Sequence, residues 1–552
     1  MKRLAAALAA SLSVSACATI SDPGPAHSSS AYADFLIGRV ANSRDDYSAA
    51  ADRYFSALNR SPRDQNLING ALVATLASGD EDRARRTARM APLNDAPAYA
   101  HLIRAGDAIT AQRWRTADDE IDNVHGLAAE ELIGRMMLVW VRAGEGRLDE
   151  VTLDLAPLAS IRPYGGLFAY QQAMALDYAG RRDEALASYN TALQGGLWLP
   201  AGVLRHADLL VRAGQRDRAI ELLSVETNRQ NPELAAALER VRAGGAAALE
   251  PITPAHGAAV GLYGLSVVYF QENDNTNGLA ALSLALMMDP DFDGARLSFA
   301  QQHSRLGHVD LARAALARIA PTSPYAAGAR VMEAWVLMDA GQPDAALEIA
   351  RTNAASGDLR AERALADMYR NLNRYEEAEP IYSRMVEQYP NDWRLYFARG
   401  AARERLGRWP EAEADLQRAL QLAPDQPDVL NYLGYSWIER GEHLDQAVTM
   451  IERAVELRPS SGAILDSLGW AHFRLGDYPL ALQYLERAVE LEPADATLNE
   501  HLGDVYWRLN RRIEARFQWQ RALSLEADNR DALEGKIANG LPPAPPSRSA
   551  NR

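Results

Sequence analysis

The chain has 552 residues, with 58 Lys and Arg against 73 Asp and Glu, so its formal net charge is −15. An acidic chain is a poor candidate for nucleic-acid binding, which requires clustered cations that contact phosphates. The single cysteine, Cys17, excludes an internal disulfide framework and a cysteine-rich zinc site. Helix-forming residues dominate and alternating β-branched runs are scarce, which predicts an all-α fold.

The N-terminus has the features of a signal peptide. Lys2 and Arg3 form a short positive region, and the apolar run that follows from Leu4 to Val14 is too short to span a bilayer. The next residues, Val-Ser-Ala-Cys17, resemble the bacterial lipobox, in which signal cleavage leaves the cysteine as a lipid-carrying first residue. An ordinary signal peptide with a chance cysteine is the alternative. We predict a lipoprotein signal peptide and lipobox over residues 1–17, with Cys17 as the lipidation site.

The residue after the cysteine predicts the location. It is Ala18 rather than Asp, which by resemblance to lipoprotein sorting signals favours the outer membrane over the inner one. Several acyl chains would anchor the protein firmly, because each buried CH₂ contributes about 0.8 kcal/mol. We therefore expect a lipid-anchored protein that faces the periplasm of a Gram-negative bacterium, joined to its anchor by a flexible Pro-, Gly- and Ser-rich tether over residues 18–30.

Helix pairs with a recurring pattern are predicted from residue 31 onward. The first copy of the pattern has small residues at Gly38, Ala50 and Ala57 and a large residue at Tyr54. The same spacings recur later in the chain. We predict an N-terminal solenoid over 31–230, a candidate seam at the Gly- and Pro-containing stretch 231–258, and degenerate repeats over 259–358. One more degenerate repeat with a long turn is the alternative for the seam.

Five well-formed copies of the pattern span residues 359–529. Four prolines close the second helices at intervals of 34, 35 and 34 residues: Pro390, Pro424, Pro459 and Pro493. Residues that tolerate a left-handed turn end the first helices: Asn373, Gly407, Gly441, Gly476 and Asn510. Alanines then mark a close helix contact: Ala378, Ala412, Ala447, Ala481 and Ala515. Large residues follow four places later: Tyr382, Leu416, Ile451, Leu485 and Trp519.

A period of about 34 residues with these slots resembles the tetratricopeptide repeat (TPR). It predicts an α-solenoid, a superhelix of stacked helix pairs with an extended concave face. Residues 530–540 should form a capping helix and 541–552 a disordered tail. The repeats account for nearly all of the chain, and we find no nucleophile elbow, phosphate loop or zinc-protease helix motif. We therefore predict no enzymatic activity, no cofactor and no metal site; a hydrolase hidden in the weakly patterned stretch 97–161 is a remaining alternative.

In the TPR family, positions 2, 5, 9, 12 and 13 of each first helix line the concave face, on one stripe of a 3.6-residue period. Arginines gather on the early part of this stripe and aromatic residues on the later part, and these are the types enriched at binding hot spots. The predicted protein-binding groove comprises Arg360, Arg363, Arg370, Arg394, Phe397, Arg405, Tyr435, Trp470, Phe473, Arg474, Trp507 and Arg508. Some of the aromatic residues could instead fill the core between helices. The Lys and Asn clamp of chaperone-binding TPR domains is absent from the stripe.

The stretch from Asn431 to Arg516 has a more specific resemblance. Its elements NYLGY, GEHLDQA, AILDSLGW and HLGDVYW are similar to those of proteobacterial TPR outer-membrane lipoproteins. One member of that family binds a periplasmic carboxyl-terminal processing protease and presents cell-wall hydrolases to it as substrates. The resemblance implies a non-enzymatic adaptor for such partners. The alternative is a structural scaffold for envelope assembly, such as outer-membrane protein, pilus or polysaccharide export machinery.

Overall fold

The computed structural model describes residues 30–93, 95–155, 164–195, 198–525 and 529–543, with no side-chain detail for 152–154. Cys17, its lipobox and all but the last residue of the predicted tether lie outside the described residues. Within the described ranges the chain forms helices and turns and no strand. The predicted all-α solenoid is confirmed. The chain divides into two compact units between Ala340 and Gly341, and the predicted seam at 231–258 lies inside the first unit.

The first unit contains helices α1 to α19. Most of them pair as antiparallel neighbours along the chain. In chain order they are α1 Ala31–Asn42, α2 Tyr47–Leu58, α3 Gln65–Ala77, α4 Glu81–Met90, α5 Ala98–Thr110, α6 Trp114–Asp122, α7 Ala128–Glu145, α8 Leu148–Leu155, α9 Gly165–Tyr178, α10 Arg182–Gln194, α11 Pro200–Arg212, α12 Arg216–Ser224, α13 Glu226–Gln230, α14 Pro232–Arg242, α15 Pro254–Gln271, α16 Asn275–Met288, α17 Asp293–Arg305, α18 Val309–Leu316 and α19 Ala326–Asp339.

The second unit contains helices α20 to α31. They are α20 Pro343–Ala354, α21 Leu359–Asn371, α22 Tyr375–Gln388, α23 Trp393–Arg405, α24 Trp409–Leu422, α25 Pro427–Arg440, α26 Leu444–Leu457, α27 Gly462–Leu475, α28 Tyr478–Leu491, α29 Ala496–Arg508, α30 Arg512–Ser524 and α31 Arg530–Asn539. The helices α21 to α30 form five pairs, and each pair packs on the next.

The left-handed turns expected between the paired helices are confirmed. All five residues have positive φ: Asn373 57°, Gly407 74°, Gly441 70°, Gly476 87° and Asn510 64°. The turn of the third pair is one residue longer than the other four, since Gly441 and Ala447 are six positions apart rather than five. It contains a second left-handed residue, His443, at φ 46°. The additional residue is therefore absorbed in the turn, and the helices on either side keep their phase.

Small residues of the first helix meet large residues of the second in these pairs. A Cβ on Gly469 would lie 2.6 Å from Leu485, and one on Gly503 would lie 2.5 Å from Trp519. The five predicted large residues and the five predicted alanines are all buried. Close packing of this kind explains why the sequence keeps its phase over five copies.

Helices α15 and α16 form a hairpin in the interior of the first unit. Helix α15 contacts α5, α7 and α9, and α16 contacts α3 and α5. Three glycines of α15 allow the close approach, since a Cβ on Gly257 would lie 2.1 Å from the Trp140 ring and one on Gly264 would lie 2.3 Å from Leu167. Tyr99 also donates a 2.6 Å hydrogen bond to Asn277 of α16. The third of these α15 glycines is Gly261, on which a Cβ would lie 3.0 Å from the side chain of Gln171.

The enclosed hairpin differs from the sequence expectation that degenerate repeats continue the array over residues 259–358. Helix α16 is buried along almost its whole length, from Gly278 to Met288. A helix that is apolar all round must be enclosed, whereas a repeat helix leaves one face in solvent. The first helices α3, α5, α7 and α9 therefore have their inner side covered by the chain's own hairpin.

Candidate functional site

The twelve residues predicted to line the groove lie on α21, α23, α25, α27 and α29, the first helices of the five pairs in the second unit. None of them is fully buried. Five arginines are exposed, and the other seven residues are half-buried: Arg363, Phe397, Tyr435, Trp470, Phe473, Trp507 and Arg508. The structure thus places all twelve on the surface, but their local contacts separate them into two groups.

The predicted groove arginines on α21 and α23 form no short ion pair among the described residues. Arg363 and Arg370 lie 3.7 and 3.8 Å from the carboxylate of Asp367, longer than a charge-assisted hydrogen bond. That carboxylate instead accepts a 2.6 Å hydrogen bond from the buried hydroxyl of Tyr382. Arg360 takes part in no ion pair within the described part of the chain. Guanidinium groups with such loose contacts remain available to a ligand.

Two further arginines of this region lie over aromatic rings. The Arg394 guanidinium carbon is 4.9 Å from the ring centroid of Trp393, and that of Arg405 is 5.7 Å from the ring of Tyr375. Cation–π contacts of exposed groups contribute about 0.5–1 kcal/mol, which orients the cations without neutralising them. We call the surface formed by Arg360, Arg363, Arg370, Arg394 and Arg405 the arginine surface.

Aromatic residues adjoin the arginine surface on α23 and α25. The ring of Phe397 contacts that of Tyr432 edge to face, with centroids 5.7 Å apart. The Tyr432 hydroxyl donates to Glu404 at 3.2 Å, so this ring is fixed in place. Tyr435 is half-buried, and burial raises the pKa of its phenol. Phe397 therefore presents apolar surface on the same helix as Arg394 and Arg405, and Tyr435 lies on the next first helix, close to Glu439 and Arg474.

Trp470 is held on both faces of its ring. Phe473 stacks on one face at 4.7 Å and His501 on the other at 4.0 Å, each inclined by 15°. The indole N–H donates a 2.6 Å hydrogen bond to Glu439, which also pairs with Arg474 at 2.7 Å. The residue was predicted as a binding anchor, but its faces and its donor are already used within the protein.

Behind Trp470 lies a buried ion pair that the sequence analysis did not identify. His501 Nδ1 is 2.9 Å from both carboxylate oxygens of Asp466. Burial disfavours the charged imidazole, but Asp466 and the nearby Asp504 and Glu500 outweigh it and raise the pKa of His501. Asp466 and His501 are about one repeat apart in sequence, on consecutive first helices, and this spacing was the sequence signal that could have paired them.

The end of the stripe is covered by the C-terminal helix α31. Lys536 Nζ lies 2.7 Å from both Glu500 and Asp504. Lys536 is the only lysine in the chain besides Lys2, and this rarity was a signal that could have drawn attention to it. Asp504 also accepts a 2.8 Å hydrogen bond from the indole of Trp519.

Residues after α31 cover two more of the predicted groove residues. The backbone of Gly540 lies against the Trp507 ring, which also stacks under the Arg512 guanidinium at 3.8 Å. Arg508 donates a 2.6 Å hydrogen bond to the carbonyl of Pro542. The sequence analysis placed residues 541–543 in a disordered tail, but Pro542 of this stretch accepts a hydrogen bond from the repeat array. Arg474 is exposed but paired with Glu439, so the part of the predicted groove without close internal polar contacts is the arginine surface with Phe397 and Tyr435.

Neither a metal-ligand cluster nor a membrane-spanning helix is found in the part of the chain that the structure describes. No group of three His, Cys, Asp or Glu side chains in that part could hold a metal ion. Asp289 and Asp291 lie in the connection between α16 and α17, and Asp289 pairs with His256 at 2.6 Å. None of the described helices is both long and apolar enough to cross a bilayer.

Comparison with known proteins identifies the repeats of the C-terminal region. One tetratricopeptide repeat family model matches residues 365–431, and a second matches 331–393, 439–496 and 467–532. A TPR repeat-containing protein of Pseudomonas aeruginosa, PA4667, is 28% identical over 192 residues. The match covers 33% of this chain and 32% of that protein, so the chain spans about a third of the relative's length.

Similar solved structures include two helical-repeat proteins. A tetratricopeptide repeat protein from Parabacteroides merdae matches with a TM-score of 0.38 and 15% identity, covering 45% of this chain and 97% of its own. The Cut9–Hcn1 hetero-tetramer of APC/C matches with a TM-score of 0.40 and 15% identity, covering 92% of this chain and 96% of the matched chain. On the family matches, residues 331–431 and 439–532 of this chain are an array of tetratricopeptide repeats.

Proposed function

We propose that this protein is a non-enzymatic adaptor that binds other proteins through the arginine surface and the adjoining Phe397 and Tyr435. The observation that carries the proposal is that these side chains are solvent-accessible and only loosely engaged, whereas Trp470, Trp507 and Arg508 are held by internal contacts. Tyr and Arg at a surface of helical repeats are the types that dominate binding energy.

The proposed partners follow from the resemblance of residues 431–516 to outer-membrane TPR lipoproteins. We propose a periplasmic carboxyl-terminal processing protease and its cell-wall hydrolase substrates, with lipid on Cys17 holding the adaptor at the outer membrane. Membrane anchoring has its own test. Replacing residues 1–17 with a leader that is cleaved without lipidation should move the protein from the membrane fraction to the soluble periplasmic fraction, and retention in the membrane fraction would contradict the lipid anchor.

The partner is tested by capture from solubilised envelopes. Tagged wild type is compared with an Arg394→Ala/Arg405→Ala/Tyr435→Ala variant and with a control, Arg384→Ala/Arg487→Ala, whose exposed arginines lie on the second helices α22 and α28. We expect a processing protease with wild type and with the control, and its loss with the groove variant. Recovery of an envelope assembly complex without any protease would instead favour the scaffold function.

A further inference from the structure

A cavity of about 380 Å³ lies in the first unit, between α2, α16, α17, α18 and the turn that precedes α4. One wall is apolar and includes Ala51, Leu286 and Phe299. Three arginines also line the cavity: Arg83, Arg296 and Arg318. This volume is within the range of small-molecule binding sites, and an apolar lining with few convergent polar groups is their usual character.

Arg296 differs from the other two arginines in its burial and its contacts. Only 2% of its surface is exposed. One of its terminal nitrogens donates to the carbonyl of Pro290, while its buried Nε has no hydrogen-bond partner. Arg296 belongs to no ion pair within the described part of the chain, although the charges of Glu81 and Asp293 are close enough to partly offset the lowering of its pKa by burial.

The other charged residues that line the cavity, which we call the rim charges, are paired with one another: Arg83, Arg318, Asp52, Asp80 and Glu81. Arg83 lies 2.6 Å from Asp52 and 3.3 Å from Asp80, and Arg318 lies 3.1 Å from Glu81. These carboxylates are therefore engaged by the rim cations rather than by Arg296.

A buried guanidinium that lacks an ion-pair partner destabilises the folded protein. Arginine does not lose its proton in proteins, so burial cannot be relieved by neutralisation. Burying a charged group without a hydrogen-bonded counterion is unfavourable. Burial and the nearby Arg318 lower the pKa of Arg296, which expresses the same penalty. An anion inside the cavity would compensate the charge of the Arg296 guanidinium, which forms part of the cavity lining.

We propose that this cavity binds a carboxylate carried on a short apolar body, with the carboxylate on Arg296 and the apolar body against Phe299 and Leu286. A planar carboxylate suits a single guanidinium, and the apolar wall suits an aliphatic chain. The ligand is either a free short-chain carboxylic acid or the C-terminus of a polypeptide that ends in an apolar residue. The cavity belongs to the first unit and the proposed adaptor surface to the second, and this proposal does not depend on the adaptor function.

Calorimetric titration of the purified wild-type chain tests the chemistry with paired probes. The acids are hexanoate and N-acetyl-Ala-Ala-Leu with a free carboxylate, and their controls are hexanamide and the same tripeptide as its amide. We expect at least one acid to bind and its amide not to bind. Binding of the tripeptide acid alone identifies a chain end, and binding of hexanoate alone identifies a free acid. The proposal is wrong if neither acid binds at millimolar concentration or if the amides bind as tightly.

Matched variants locate the contact. Arg296→Gln should weaken the acid that binds by about tenfold or more, because it removes a charge-assisted hydrogen bond. Arg83→Gln removes a rim arginine that is already paired, and it should change the affinity less than threefold. Equal losses in both variants would indicate a general electrostatic attraction and would overturn the assignment to Arg296. If Arg296→Gln does not fold, as judged by its circular dichroism melting curve, the comparison of acids with amides on wild type still decides.

Discussion

The imidazole of His501 lies flat against the indole of Trp470, with ring centroids 4.0 Å apart and ring planes inclined by 15°. The same imidazole is hydrogen-bonded to Asp466 of the preceding first helix. These contacts join α27 to α29 and hold an aromatic residue that would otherwise be free to meet a ligand. The stripe of the fourth and fifth pairs is therefore partly structural, which is why we propose that binding is concentrated on the pairs before them.

The His501–Asp466 pair should make stability depend on pH. Because the folded-state pKa of His501 is raised above its unfolded value, near 6.5, the protonated pair stabilises the fold fully below that value. The contribution is lost as pH rises through the folded-state pKa. Thermal melts should show a larger difference between wild type and His501→Gln at pH 6 than at pH 9. The loss at low pH should be roughly 1.5–3 kcal/mol.

A difference in melting temperature that is constant with pH would mean that His501 acts only by stacking on Trp470. The matched control for the charge is Asp466→Asn, which keeps the stack and removes the carboxylate. It should reproduce the pH dependence of His501→Gln.

Replacing Lys536 with glutamine should loosen α31. The change leaves Glu500 and Asp504 without their cation, and the carboxylate of Asp504 is only 5% exposed. Removing one member of a buried ion pair destabilises by about 3 kcal/mol or more. Hydrogen exchange followed by mass spectrometry should show faster exchange of the α31 amides. Arg530→Gln, on the same helix but in an exposed pair, should leave the exchange unchanged. Equal exchange in wild type and Lys536→Gln would contradict the role given to this ion pair.

Trp470→Ala and Tyr435→Ala should have different effects. Trp470 is stacked on both faces and hydrogen-bonded, so its truncation should lower the free energy of unfolding by at least about 2 kcal/mol. Tyr435 has no hydrogen-bond partner for its hydroxyl among the described residues, and its truncation should weaken partner binding with a smaller loss of stability. Urea denaturation and capture of the partner measure the two effects. A large loss of stability in Tyr435→Ala would place this residue in the core.

Gly257→Ala should destabilise the first unit. The added Cβ would lie 2.1 Å from the buried Trp140 ring, which is itself held by a 2.6 Å hydrogen bond to Gln171. Overpacking of this kind destabilises by about 1–3 kcal/mol. Gly328→Ala is the control, because no atom lies within 4 Å of its added Cβ and it sits in helix α19, where alanine is favoured. A melting temperature of Gly257→Ala equal to that of the control would contradict the close approach of α15.

Local patterns in the sequence predicted much of the second unit correctly. The left-handed turn residues and the alternation of small and large residues concern neighbours within about one repeat, and the structure confirms both. The membership of the stripe also follows from helical periodicity, and all twelve residues lie on the first helices. Periodicity, however, says nothing about which of them already contact another part of the chain.

The sequence alone determined the class of fold, the helix pairs and the face on which arginines and aromatic residues gather, because these depend on spacing along a helix and on which residues can close a turn. Only the tertiary structure decided that α15 and α16 fill the interior of the first unit, that His501 and Phe473 enclose Trp470, and that Lys536 and Gly540 cover the end of the stripe. The contacts of His501, Lys536 and Gly540 join residues in different repeats or far apart in sequence, whereas Phe473 lies one helical turn from Trp470. The stability of these contacts comes from packing and charge compensation, which no local pattern encodes.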